Sequence, residues 1–180
     1  MRILGIDPGT NVLGYAILEN RGKFLHVLRM DVLRMSRYDN HQDKLHRIFV
    51  EIQDIIDTYQ PTFMAIEAPF YGKNVQSMLK LGRAQGVAIA AALQRKIEVQ
   101  EYSPKKIKLA VTGNGNASKE QVAAMVSQLT VSQIDDSKLD ATDALAAAIC
   151  HHYQNKRLNK LGGQFKDWGA FLKANPDRKL

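Results

Sequence analysis

Near residue 40 the apolar residues of this chain change their period, and that change narrows the folds open to it more than any other feature. Before it, the runs are short and strand-like. Arg2–Ile6 is closed by Asp7-Pro8-Gly9-Thr10, a strong turn signal, and Val12–Leu18 and Phe24–Leu33 follow, joined across Asn20-Arg21-Gly22. Three strands with such short connections form an antiparallel meander. After it, Leu45, Ile48, Phe49, Ile52, Ile55, Ile56 and Tyr59 recur at spacings of three and four, one apolar stripe of a helix that ends before Pro61. Phe63–Glu67 is too short for a helix and reads as a buried strand, Asn74–Gln94 as a second helix, and Ile97–Tyr102 as a fifth strand. Alternation of strand and helix after a meander predicts an α/β fold, its mixed five-stranded sheet built from three antiparallel and then two parallel strands.

Shorter helices follow. Ser103-Pro104 opens one, Ser118-Lys119-Glu120-Gln121 has the spacing of a capping box, and Ser137 is placed to cap a last helix running through His152. Gly113-Asn114-Gly115-Asn116 reads as a mobile loop between the first two. The 180 residues suit one domain over 1–153 and a basic, partly ordered tail over 154–180, which contains Gly162-Gly163 and Pro176. A single cysteine, Cys150, excludes an internal disulfide framework and a cysteine-rich zinc site. No apolar run approaches the roughly 20 residues of a spanning helix, and the first residues read as a strand, so a soluble, cytoplasmic protein is expected.

The carboxylates point to chemistry. Asp7 and Glu67 each end an apolar strand, and Asp140 and Asp143 share one face of a helix that continues as Ala144-Leu145-Ala146-Ala147-Ala148-Ile149-Cys150. Taken singly, Asp7 can simply start a turn and Asp140 can simply favour a helix N-terminus. Taken together, four carboxylates at element ends beside apolar residues repel one another unless a cation lies among them. All-oxygen ligands favour Mg²⁺ or Mn²⁺, and two such ions about 3.5–4 Å apart are a common device for phosphodiester hydrolysis.

Charge is segregated along the chain. Residues 73–119 carry 9 basic and 2 acidic side chains, residues 154–180 carry 7 and 2, and the stretch between them carries 1 and 5. Basic segments on either side of an acidic one suit a polyanion-binding surface around a carboxylate cluster, although a solvated basic face reads the same way. His41, His46, His151 and His152 have no partner spacing that suggests a site and are expected at the surface or at helix ends.

Four pieces in order, Gly5-Ile6-Asp7-Pro8-Gly9-Thr10, Ala65-Ile66-Glu67, Lys73-Asn74 through Ala88, and Asp140-Ala141-Thr142-Asp143-Ala144-Leu145-Ala146, resemble the RuvC family of Holliday-junction resolvases within the ribonuclease-H-like superfamily. The resemblance covers roughly residues 1–153. It implies a ribonuclease-H-like sheet flanked by helices, and a homodimeric endonuclease that places paired symmetric nicks in four-way DNA junctions during recombination and repair. It makes Asp7, Glu67, Asp140 and Asp143 the metal-binding catalytic quartet, with Mg²⁺, two per site, as cofactor and Mn²⁺ as a substitute. Phe70 matches an aromatic that stacks on a base, and Lys108 and Lys119 match basic positions that contact DNA or support cleavage. Lys73, Lys80, Arg83, Lys105 and Lys106 complete the assigned DNA contacts, and the RuvA–RuvB branch-migration motor is the partner expected of the family.

The sequence departs from the family at Ala68-Pro69, where a polar residue and no proline are expected, and in the tail with Trp168 and Phe171. Other readings differ in class. A phosphotransferase of the actin and sugar-kinase type shares the Gly5–Thr10 loop but needs a second lobe. A ribonuclease-H-like nuclease acting on RNA or an rRNA precursor keeps the carboxylates, and a non-catalytic junction-binding protein has no use for them. Gly82, Gly86 and Ala90, four apart on the helix 74–94, form a small-residue stripe suited to close approach, either by the protein's own sheet or by a second copy.

Overall fold

A computed structural model describes residues 1–69, 74–131 and 139–162, with the side chains of 156–162 excepted. Phe70, Lys73, Ser137, Trp168 and Phe171 lie outside the described residues. Five strands, β1 (Arg2–Asp7), β2 (Val12–Arg21), β3 (Phe24–Arg34), β4 (Phe63–Glu67) and β5 (Glu98–Tyr102), form one sheet in the order β3-β2-β1-β4-β5. β2 is antiparallel to β1 and β3, whereas β4 is parallel to both β1 and β5, as the change of period predicts. The hairpin between β2 and β3 is tighter than expected: β2 runs through Arg21, and Gly22 takes the left-handed conformation (φ 66°) that a residue with a Cβ adopts only under strain.

The helices are α1 (His41–Tyr59), α2 (Val75–Gln94), α3 (Pro104–Thr112), α4 (Lys119–Leu129) and α5 (Leu139–Gly162). Their starts follow local chemistry. Asn40, Asn74, Ser103 and Ser118 each accept a backbone N–H from the first turn, and Ser118 with Gln121 closes the expected capping box. α5 continues past residue 153 to Gly162. The loop 113–116 is not the free segment expected. Thr112 Oγ1 accepts from the Asn114 N–H, Asn114 Oδ1 accepts from the Asn116 N–H, and Gly113 (φ 76°) closes α3.

The sheet buries both faces. Leu4, Ile6, Ile17, Met64 and Ile66 pack against Ile48 and Ile52 of α1 and Ala84, Ala88 and Ala91 of α2. Ile3, Ala16, Leu18 and Ala65 pack on the other face against Val122 and Val126 of α4 and Leu145 and Ile149 of α5. Strand period two therefore decides the site. Asp7 shares its strand face with Ile3 and Gly5, and Glu67 shares its with Phe63 and Ala65, so both carboxylates fall on the α5 side.

Two histidines depart from the sequence expectation. His151 and His152 are only 6% and 8% exposed, because α5 lies across the sheet and its apolar stripe is wider than the last turn suggests. The Tyr102 hydroxyl and His151 Nδ1 are 2.9 Å apart, and the Phe63 ring lies 4.9 Å from the imidazole. This polar pair locks β5 to α5.

Candidate active site

β1 and β4 are parallel neighbours with Ile6 opposite Ile66, so Asp7 and Glu67 leave the sheet at one edge. α5 begins over that same edge and comes unusually close. A Cβ on Gly5 would stand 2.0 Å from the Ala144 carbonyl oxygen, and one on Gly14, the residue opposite Asp7 in β2, would stand 2.0 Å from the Asp140 carbonyl oxygen. Both glycines are required by this approach, and the alanines of α5 complete it. The result is a set of three aspartates, Asp7, Asp140 and Asp143, each offering a carboxylate oxygen, with these oxygens within 4.8 Å of one another. Glu67 is not part of that closest set, but its charge acts directly on Asp7.

Electrostatics mark the cluster as short of positive charge. Burial, followed by the charges of Glu67 and Asp143, pushes Asp7 up to about 8. Burial and then Asp143 push Glu67 up to about 7, against the opposing charges of Lys119 and Lys108. Lys119 Nζ donates to Asp143 at 2.7 Å and is the one cation of the described residues paired with a carboxylate of this cluster. Hard, crowded, half-buried oxygen donors of this kind fit a divalent cation such as Mg²⁺.

Known proteins are similar to this chain along nearly its whole length. The family described as "Crossover junction endodeoxyribonuclease RuvC" matches residues 3–151. Crossover junction endodeoxyribonucleases RuvC of Cytophaga hutchinsonii and Christiangramia forsetii are each 53% identical over 98% of this chain, covering 86% and 91% of their own lengths. The chain belongs to the RuvC family. Among solved structures, Thermus thermophilus RuvC in complex with a Holliday junction substrate superposes with a TM-score of 0.82 at 28% identity, over 87% of this chain and 96% of that one. The family is one of endodeoxyribonucleases, and the aspartate set is consistent with metal-dependent catalysis.

On this RuvC fold, the basic residues assigned to DNA separate into groups. Lys108 and Lys119 border the carboxylates, where their charges reach Glu67 and Asp7. Lys106 lies over the Tyr102 ring, 5.0 Å from its centroid, and Lys105 lies against Gly115. Lys80 and Arg83 sit on α2, on the opposite layer, where both act on His41. Sequence reasoning missed Gln85, which is 6% exposed, donates to Glu101 at 2.6 Å and reaches the Glu67 carbonyl at 3.4 Å. A polar residue inside the otherwise apolar face of α2 was the available signal; it ties the helix to the end of β4 that presents Glu67.

The raised carboxylates set a pH dependence. In protein stripped of divalent cations, Asp7 and Glu67 hold protons well above their ordinary values of 3.8 and 4.5. The folded state therefore binds more protons than the unfolded chain between those values and about 8. Their contribution to stability is full below the ordinary carboxylate range and is lost as pH rises through 7 to 8. Melting in EDTA is expected to fall between pH 5 and pH 8.5, and Mg²⁺ is expected to restore more at pH 8.5 than at pH 5. Calorimetry at the two pH values checks both.

Proposed function

We propose that this protein resolves four-way DNA junctions, hydrolysing one phosphodiester in each of two strands of like polarity. The observation that carries the reading is the convergence of Asp7 from β1 with Asp140 and Asp143 from α5 in a chain of the RuvC family. Asp7, Glu67, Asp140 and Asp143 are the residues proposed to hold the cation, two Mg²⁺ per site with Mn²⁺ as a substitute. When bound, such ions supply Lewis-acid polarisation of the phosphoryl oxygen and lower the pKa of water. The chain's own residues do the rest. Lys119 and Lys108 offset the negative charge of an approaching phosphate, and the Gln85 bond to the Glu67 carbonyl holds β4 in register with α2. Phe70 is proposed to stack on a base, and Lys73, Lys80, Arg83, Lys105 and Lys106 to contact backbone phosphates. The nuclease domain is assigned to residues 1–153 and the basic tail to 154–180, and the protein is proposed to act in the cytoplasm beside the RuvA–RuvB motor. Among the described residues, no helix is long and apolar enough to cross a membrane.

The test is cleavage of a synthetic four-way junction with Mg²⁺, beside linear duplex and RNA–DNA hybrid. Selective, paired cutting of the junction is expected, and preferential cutting of the hybrid overturns the reading in favour of an RNA-directed nuclease.

Paired nicks need two sites related by a two-fold axis, and α2 supports a dimer. The buried face of α2 carries Ala84, Ala88 and Ala91, while Val75, Leu79 and Leu93 are 66%, 58% and 57% exposed along the opposite side. A Cβ on Gly82 or Gly86, on that same side, meets nothing within 4 Å, so these glycines do not serve packing on the protein's own sheet. An apolar stripe with small residues at its centre suits close approach by the same helix of a second copy. Leu79→Glu is expected to melt like the parent, sediment as a monomer at micromolar concentration, and lose paired cutting. A Leu79→Glu protein that remains dimeric removes this face from the interface.

A further inference from the structure

On the side of the sheet away from α5, at the same edge as the carboxylates, the first turns of α1 and α2 enclose a cleft of about 360 Å³. This is toward the small end of ligand clefts, which run from ~300 to 1,000 Å³. Its donors come from three separate parts of the chain. Lys44 from α1 and Lys80 from α2 both line it, and hydroxyls are supplied by Thr10, three residues after Asp7, and by Ser77 in the first turn of α2. Lys44 Nζ is held by Asn11 Oδ1 at 2.7 Å, which fixes the ammonium at the wall. His41 also lines the cleft, and its Nε2 is buried without a hydrogen-bond partner. Burial and then the charges of Arg83, Lys80 and Lys44 hold His41 below its ordinary pKa. Asp39 lines the cleft as well, and Lys44 and Lys80 outweigh it.

Ammonium groups and hydroxyls gathered from a turn and two helices make a donor set for tetrahedral oxyanions. We propose that the cleft between the first turns of α1 and α2 is a second phosphodiester-binding site, gripping the DNA backbone on the layer opposite the cutting carboxylates. The inference rests on the nuclease reading above and deepens it by adding Lys44, His41, Thr10 and Ser77, which that reading leaves unused. Its consequence is a two-point hold. A strand bound at the aspartates is anchored again across the sheet edge, which fixes its direction over the site before cutting. Thr10 links the two points, since it belongs to the turn that leaves Asp7.

Binding to a fluorescent four-way junction in EDTA tests the proposal without cleavage. Removing one cation from a phosphate lowers the slope of log K against log salt by about 1. Lys44→Gln, which keeps a donor for Asn11, is expected to lower the slope by about 1 and the affinity several-fold. Lys23→Gln, the same charge change in the β2–β3 turn at the far end of the sheet, is expected to leave both close to the parent. Ser77→Asp places a negative charge where the first turn of a helix favours it, so the fold is retained while binding weakens more than with Lys44→Gln. If Lys44→Gln and Ser77→Asp bind like Lys23→Gln, the cleft holds no phosphate and the proposal is overturned. The cleft is read from slopes in EDTA and the nuclease reading from cutting in Mg²⁺, so either can fail while the other stands.

Discussion

Asp7→Asn is expected to abolish junction cutting while leaving junction binding within a few-fold of the parent. The substitution keeps the size of the side chain and removes its charge from the centre of the set formed with Asp140 and Asp143. Loss of several kcal/mol of transition-state stabilisation corresponds to roughly 10³-fold or more in rate, at about 1.36 kcal/mol per tenfold. Binding persists because phosphate contacts by lysines do not need the aspartate. A second effect separates this variant from one that is merely misfolded. The buried Asp7 carboxyl is pushed up to about 8, so ionising it in cation-free protein opposes folding above neutrality. The asparagine amide that replaces it cannot ionise. In EDTA at pH 8.5 the variant should therefore melt higher than the parent, and its melting should change less between pH 5 and pH 8.5. Cleavage near the parental rate removes Asp7 from the catalytic set, and a lower melting temperature at pH 8.5 contradicts the electrostatic account of the site.

Gly14→Ala is expected to cost nearly as much activity without touching a carboxylate. The added Cβ would lie 2.0 Å from the Asp140 carbonyl oxygen and 2.4 Å from its carbonyl carbon, both backbone atoms with no flexible end to yield. α5 must move away from β2, and it carries Asp140 and Asp143 with it. Overpacking of this kind costs about 1–3 kcal/mol of stability, and an ångström of misplacement at a reacting centre can cost about 10²-fold in rate. The expected result is a folded protein with a lowered melting temperature, a rate reduced about 100-fold or more, and Mg²⁺ that restores less stability at pH 8.5. A Gly14→Ala protein that cuts like the parent shows that the close approach of α5 does not set the aspartate geometry.

The two variants mark the division between what was legible in the chain and what was not. The sequence of elements, the mixed sheet and the position of Asp7 and Glu67 at strand ends follow from local pattern. Hydrophobic period distinguishes strand from helix, and Asp-Pro-Gly and the Asn and Ser caps fix where elements stop and start. The i, i+3 pair Asp140 and Asp143 follows equally from helix geometry alone.

Other features depend on residues far apart in sequence, and local pattern carries no record of them. That Gly5 and Gly14 are contact points for α5 is invisible until β1, β2 and α5 are stacked. His151 reads as a helix-end residue until Tyr102 and Phe63 arrive from β5 and β4 to bury it. Local pattern alone makes Lys119 one more surface lysine, and only the family resemblance singles it out, until α4 delivers it to Asp143, 24 positions away. Lys44, His41 and Ser77 carry no motif at all and share a cleft only because two helices begin at one sheet edge. Sequence by itself determined which elements form and which residues stand at their ends, because periodicity and capping act over a few residues. Tertiary structure decided which of those ends meet, because that depends on close packing between layers, and the carboxylates acquire their shared field only once burial has brought them together.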